Sequence, residues 1–192
     1  MKSVAESIKE PELYFEVNLD ATRKILESIS SFGVHRFIFS STAAVYGATE
    51  SLTPVIESDK KFPLSPYGKS KLLGEINNKN AVTIRTSIIG HELNTKLSLL
   101  EWFLSKEIMV NGYTKAFFSG LPTVELSRII KDKILQKPEI SGLYNVASHK
   151  ISKFELLKII AKVYQREIDI IEDSSLVIDR SLNSDMFNST FQ

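Results

Sequence analysis

The chain has 192 residues, 43% of them hydrophobic, and its 24 basic and 23 acidic residues leave a formal net charge of +1. That length buries the core of one domain or slightly more, and the evenly mixed charges exclude the basic footprint of a nucleic-acid binder or a polybasic membrane patch. The absence of cysteine excludes disulfides and thiolate metal sites and suits a reducing cytoplasm.

The opening MKSVAESIKEPE lacks the apolar segment of a signal peptide. PELYFEVNLDATRKILESISSFG follows, bracketed by Pro11 and Gly33, with Leu13, Val17, Ala21, Ile25 and Ile29 on one helical stripe and Leu26 beside it. A buried strand is expected over 36–41, in RFIFSS. The polar GATESLTPVIESDKKFPL, with two prolines, reads as an excursion loop. SPYGKSKLLGE opens a helix, with Ser65 as N-cap and Pro66 in the first turn. A second buried strand spans 82–89, and KLSLLEWFLSKE and VELSRIIKDKILQ are amphipathic helices, the latter ended by Pro138. GLYNVAS is a short strand, SKFELLKIIAKVYQ a helix, EIDIIED a last short strand, and the final dozen residues are expected to fray. Strands alternating with helices predict an α/β protein built on a parallel sheet with helices on its faces. No apolar run approaches the roughly 20 residues that span a bilayer. His35, His91 and His149 are far apart in sequence, and none has a helical partner four residues away, so no metal site is expected.

Parallel sheets bind ligands beyond the carboxyl ends of their strands. The strand RFIFSS delivers Ser40, Ser41 and Thr42 to that edge, and Tyr67 and Lys71 stand four residues apart on one face of the next helix. A free tyrosine titrates near pH ~10 and carries protons poorly at neutrality, and an ammonium beside it would lower that pKa. Thr42, Tyr67 and Lys71 would then form an acid/base device acting on a carbinol or carbonyl oxygen, with hydride transfer requiring a nicotinamide alongside. A Tyr-x-x-x-Lys pair alone is common by chance. The strand-end hydroxyl and the capped helix start make the combination specific.

FIFSSTAAVYG and SPYGKSKLLGE resemble the extended short-chain dehydrogenase/reductases that modify nucleotide sugars. The segment KSVAESIKEPELYFEVNLDATRKILE is similar to UDP-glucose 4-epimerases. AVTIRTSIIGHEL, VNGYTKAFFSGLPTVELSRII, GLYNVAS and DRSLNS look more like dTDP-4-dehydrorhamnose reductases. The resemblance implies a partial Rossmann-like parallel sheet plus a small α+β substrate-binding part. Residues 1–92 would hold the incomplete catalytic part, and 93–192 the last Rossmann elements and the substrate-binding part. It implies Thr42, Tyr67 and Lys71 as catalytic residues, and NAD or NADP as cofactor. Asn18, Ser40, Ser41, Tyr67, Lys71, Thr86 and Ser87 would lie against that cofactor, and Thr42 and Arg180 against a nucleotide-sugar substrate. Arg180 would hold its diphosphate. Ala21 replaces the family's glycine in N-x-x-G-T, and RTSIIG lacks the asparagine that epimerases carry there, which weighs against the epimerase branch.

The family's glycine-rich phosphate loop is absent: no two of the eight glycines are three residues apart. The first half of the nucleotide-binding sheet is therefore expected to be missing, leaving the catalytic strand at an unprotected edge. A homodimer through PELYFEVNLDATRKILESI, or a separate N-terminal half, are the implied partners. The alternative class is a cofactor-less fragment or pseudoenzyme, an interaction module whose sheet edge docks another chain.

Overall fold

Pro11 and Gly33 do bracket helix, but the helix is less regular than its punctuation suggests. In the computed structural model, which describes residues 4–34, 36–47, 53–92 and 98–192, an additional helix comes first, α1 (Val4–Lys9). Then α2 (Pro11–Phe15), a π-helical turn (Glu16–Asp20) and α3 (Ala21–Ser30) follow without a break. Gly33 takes the left-handed φ of +65° just past the end. The wide π turn shifts the helical phase. Tyr14 and Asn18 face inward, whereas Val17 and Ile25 of the apolar stripe are 38% and 48% exposed.

Next come β1 (Phe37–Ser40), α4 (Pro66–Leu73), β2 (Ala81–Arg85), β3 (Ile88–Ile89) and α5 (Leu99–Leu104). The second half adds β4 (Met109–Tyr113), β5 (Ala116–Phe118), β6 (Leu121–Pro122), α6 (Thr123–Ile129) with a π turn (Ile130–Ile134), and β7 (Gly142–Asn145). The chain ends with β8 (Ile151–Ser152), α7 (Lys153–Val163), β9 (Asp169–Asp173), β10 (Ile178–Asp179) and α8 (Asp185–Thr190). The expected strand over 82–89 divides. β2 joins the main parallel sheet, of order β1-β2-β7, while β3 leaves it to pair with β6. Among the described residues, β1 pairs with β2 alone. Arg36 lies outside the strand, and its guanidinium donates to the carbonyls of Ile134, Pro138 and Ile140.

The sheet buries both faces, as parallel sheets do. Val82 and Ile84 pack with Leu121, Ile134, Tyr144, Val146, Phe187 and Phe191. On the other face Ala81 joins Phe39 and Ile76, with Leu26 of α3 against them. The C-terminus is not frayed. Phe187 and Phe191 stack with centroids 4.7 Å apart, and the Tyr144 ring meets both edge-on. β5, β8 and β10 form a small mixed sheet, and β4 with β9 a parallel pair beneath α7.

One polar network joins the carboxyl ends of the main strands. Arg85, at the end of β2, meets the Glu75 carboxylate two-pronged, at 2.6 and 2.8 Å. Both side chains are buried. Burial pushes the guanidinium pKa down, but the bonds and charge of Glu75 outweigh it and hold it above the ordinary value. Arg85 also donates to the Tyr46 hydroxyl at 2.8 Å, which donates to Asn145 Oδ1 at 2.9 Å at the end of β7. Ser41 donates to Glu75 at 2.7 Å, and the Asn145 amide donates to Glu57 of the excursion loop at 2.7 Å. Removing one member leaves a buried charge unpaired. Glu75→Leu is therefore expected to lower unfolding stability by about 3–5 kcal/mol. The Glu75→Leu/Arg85→Met double variant should lose less than the two single losses added, as read by urea unfolding.

Candidate active site

β1 and β2 bring the candidate residues to one edge. Thr42 follows β1, buried, and its hydroxyl accepts from the Ala44 amide at 3.2 Å to start a short 3₁₀ turn (Ala43–Val45). The Ala43 amide donates to the Thr86 carbonyl, tying that turn to the end of β2. α4 starts as the sequence predicts: Ser65 accepts from the Gly68 amide and Pro66 is the first helical residue. Gly68 decides how close α4 can come. A Cβ there would lie 2.8 Å from the Ala44 carbonyl oxygen and 3.0 Å from the Pro63 Cβ. Without one, the first turn of α4 sits against the turn after Thr42, which brings the Tyr67 phenol near the Thr42 side chain.

Burial raises the Tyr67 pKa above its usual value, and the nearby Thr42 side chain opposes that only in part. The expected lowering by Lys71 is not seen. Lys71 turns to the strand end, donates to the Ser40 carbonyl at 3.0 Å and lies over the Phe39 ring. Burial lowers its own pKa. Tyr14 walls the phenol, its ring edge-on to that of Tyr67 at 6.2 Å, and its hydroxyl donates to Glu6 at 2.5 Å.

The remaining candidates divide by role. Asn18 is buried and donates to the Ser70 hydroxyl at 3.1 Å, bracing α4 from behind. Ser40 is exposed at the edge, whereas Ser41 is buried with its hydroxyl on Glu75, inside the network rather than lining the edge. Thr86 is buried and donates to the Ser87 carbonyl, and the Leu121 amide donates to that same carbonyl. Arg180 is exposed just past β10, two residues before Leu182, which packs with Val45, Tyr46 and Val55 next to the Thr42 turn. His91 pairs with Glu101 at 2.7 Å and Tyr164 at 2.9 Å, and His35 lies outside the described residues. Among the described residues, no three His, Asp or Glu side chains gather as a metal site requires.

Tyr14, Tyr46 and Glu75 were not singled out by the sequence reading. Tyr14 stands one helical turn before Asn18, and that spacing was the available signal. Nothing local marks Tyr46 or Glu75, because their partners lie 99 and 10 residues away in the chain.

The family model of GDP-mannose 4,6 dehydratase matches residues 1–87. UDP-glucose 4-epimerase 2 of Oryza sativa subsp. japonica is 30% identical over 145 residues, which are 76% of this chain and 34% of that protein. Among solved structures, a dTDP-4-dehydrorhamnose reductase from Bacillus anthracis in complex with NADP superposes with a TM-score of 0.81 at 18% identity, over 99% of this chain and 71% of its own. A UDP-N-acetylglucosamine 4-epimerase from Methanobrevibacter ruminantium superposes with a TM-score of 0.78 at 24% identity, over the whole of this chain and 67% of its own. The chain thus spans about a third of the rice relative's length. These structural likenesses show the fold, an α/β architecture with a parallel sheet and flanking helices. The sequence matches relate the chain to the extended short-chain dehydrogenase/reductases.

Proposed function

We propose that this chain carries the proton-transfer site of an NAD(P)-dependent enzyme acting on a nucleotide-linked sugar, as a reductase or an epimerase, in the cytoplasm. The observation that carries the reading is the convergence of Thr42, at the end of β1, and Tyr67, in the first turn of α4, which Gly68 lets pack closely on the turn after Thr42, with Lys71 one helical turn beyond. In this reading residues 1–92 form the catalytic part, and 93–192 the last sheet elements and the substrate-binding part.

Thr42 orients the sugar oxygen, and Tyr67 moves the proton on or off it. Burial keeps the phenol protonated at neutral pH, the form that donates to a keto oxygen, which favours the reductase direction. Epimerisation starts instead with Tyr67 accepting a proton from a sugar hydroxyl, a step that the raised pKa works against. A bound nicotinamide supplies or takes up the hydride. Ser40, Thr86 and Ser87 stand at the ends of two adjacent strands, Lys71 reaches the first of them from α4, and together they suit its ribose and amide, with Asn18 and Ser41 supporting them from behind. The phosphate end has no such fit, since the described residues contain no glycine-rich turn between a strand and a helix.

A second reading rests on the edge of β1, which pairs with β2 alone among the described residues. Phe32 and Val34, just before it, are 80% and 43% exposed. An unpaired edge beside apolar surface favours strand addition. The occupant we propose is an N-terminal half of the same fold, consistent with the chain spanning 67–71% of its structural neighbours. The exposed Val17 and Ile25 of the first helical rod suit a homodimer.

Fluorescence titration of the chain with NADH is expected to show binding that a Tyr67→Phe/Lys71→Ala variant loses. No binding up to millimolar NADH by folded protein would remove the enzyme reading and leave the strand-addition reading. A difference ultraviolet titration against Tyr67→Phe is expected to place the Tyr67 phenolate above the ordinary range near pH ~10. Thr42→Val should move it further up, because the hydroxyl beside the phenol that favours the phenolate is gone. In the reductase direction the rate is expected to hold through neutral pH and fall as pH rises through the phenol pKa. An unshifted phenol would refute this acid/base assignment.

A further inference from the structure

One stretch of chain holds Tyr67 at two points. The first point is its backbone. Asn18 donates to the Ser70 hydroxyl at 3.1 Å, and that hydroxyl donates to the Tyr67 carbonyl at 3.0 Å. Asn18 and Ser70 are both buried. The second point is the ring. Tyr14, one helical turn before Asn18, is fully buried and stands edge-on to the Tyr67 ring, at 89° with centroids 6.2 Å apart. Aromatic pairs favour this arrangement, in which the positive edge of one ring meets the negative face of the other.

The π turn makes the double contact possible. Tyr14 lies at the end of α2 and Asn18 inside the turn Glu16–Asp20. Both α2 and the turn pack on α4. The extra residue in the turn sets the phase that sends Tyr14 and Asn18 inward and leaves Val17 exposed.

The outer end of Tyr14 is also fixed. Its hydroxyl donates to the Glu6 carboxylate at 2.5 Å, the short distance expected of a hydroxyl on an ionised carboxylate. Glu6 belongs to α1, on the other side of the break between Lys9 and Pro11, so this bond closes α1 onto α2. α1 packs on α4 as well, with Ser7 fully buried. A buried tyrosine needs a partner for its hydroxyl. Glu6 is exposed, so it supplies that partner without the cost of burying a charge.

We propose that Tyr14 is a positioning residue of the proton-transfer site, a strut anchored at its outer end by Glu6 and bearing with its ring on Tyr67. It acts through Tyr67 and touches no substrate. The strut keeps the phenol in one orientation near the end of β1 and keeps water off one side of its ring. A phenolate with fewer waters around it is less stable, so the strut contributes to the raised pKa of Tyr67. That the proton moves to or from a sugar oxygen rests on the function proposed above; the strut does not.

The test is difference ultraviolet titration of Tyr67, read against Tyr67→Phe in each background, for Tyr14→Ala, Tyr14→Phe and Glu6→Gln. Tyr14→Ala is expected to lower the Tyr67 pKa by about one pH unit as water reaches the ring. Tyr14→Phe and Glu6→Gln keep the ring but release its outer end, and should lower the pKa by less. Phe191→Leu loosens the separate cluster of Phe187 and Tyr144 and should leave Tyr67 unmoved, which separates the strut from a loss of stability alone. A Tyr67 pKa unchanged in folded Tyr14→Ala would overturn the assignment. If Tyr14→Ala does not fold, a pKa unchanged in both Tyr14→Phe and Glu6→Gln would overturn it equally. A drop of the same size in Phe191→Leu would do so too. The titration needs no cofactor. A phenol that moves in these variants while NADH binding is absent would uphold the strut and remove the redox reading alone, and an unmoved phenol beside intact NADH binding would do the reverse.

Discussion

The Glu75–Arg85 pair is the constraint on which the upper edge of the sheet depends. A parallel sheet ends in loops that share no regular hydrogen bonding, and something must set their heights relative to one another. Here the carboxylate holds Ser41 from β1 and Arg85 from β2, and Arg85 reaches through Tyr46 to Asn145 at the end of β7. Glu75 sits two residues beyond α4, so the network that levels the strand ends also holds the helix bearing Tyr67 and Lys71. Such a pair is costly to bury and gives geometry in return.

The geometry of the candidate acid/base site follows from that levelling. Thr42 leaves β1 where Ser41 is anchored, and α4 is held on its other side by Asn18 through Ser70. Lys71 binds a strand-end carbonyl rather than the phenol, so burial sets the state of Tyr67. The small mixed sheet meets this edge through Leu182 and Val55.

Much of this was legible in the sequence. Ser65 and Pro66 mark the start of α4 through local chemistry, and Tyr67, Gly68 and Lys71 follow at fixed helical spacing. The parallel character of β1 and β2 is visible in their apolar runs. Other features depend on partners distant in the chain. The π turn at Glu16–Asp20 moves the buried face from Val17 and Ile25 to Tyr14 and Asn18, and no periodicity count anticipates an extra residue in one turn. The run over 82–89 reads as one strand, because nothing local marks where Ile88 and Ile89 change partner to β6. The polar C-terminal segment reads as loose until Phe187 and Phe191 find Tyr144.

Gly68 sets a tolerance on the whole arrangement. The gap between α4 and the turn after Thr42 is closed by the backbone oxygen of Ala44 and by the Pro63 ring, neither of which can swing away. A methyl group in that gap would act as a wedge and lever the helix outward about its capped end. The phenol would swing away from Thr42 while the tyrosine, threonine and lysine all remained in the sequence. The chain could therefore keep every reactive group and still lose its alignment through the one residue of the motif that has no side chain.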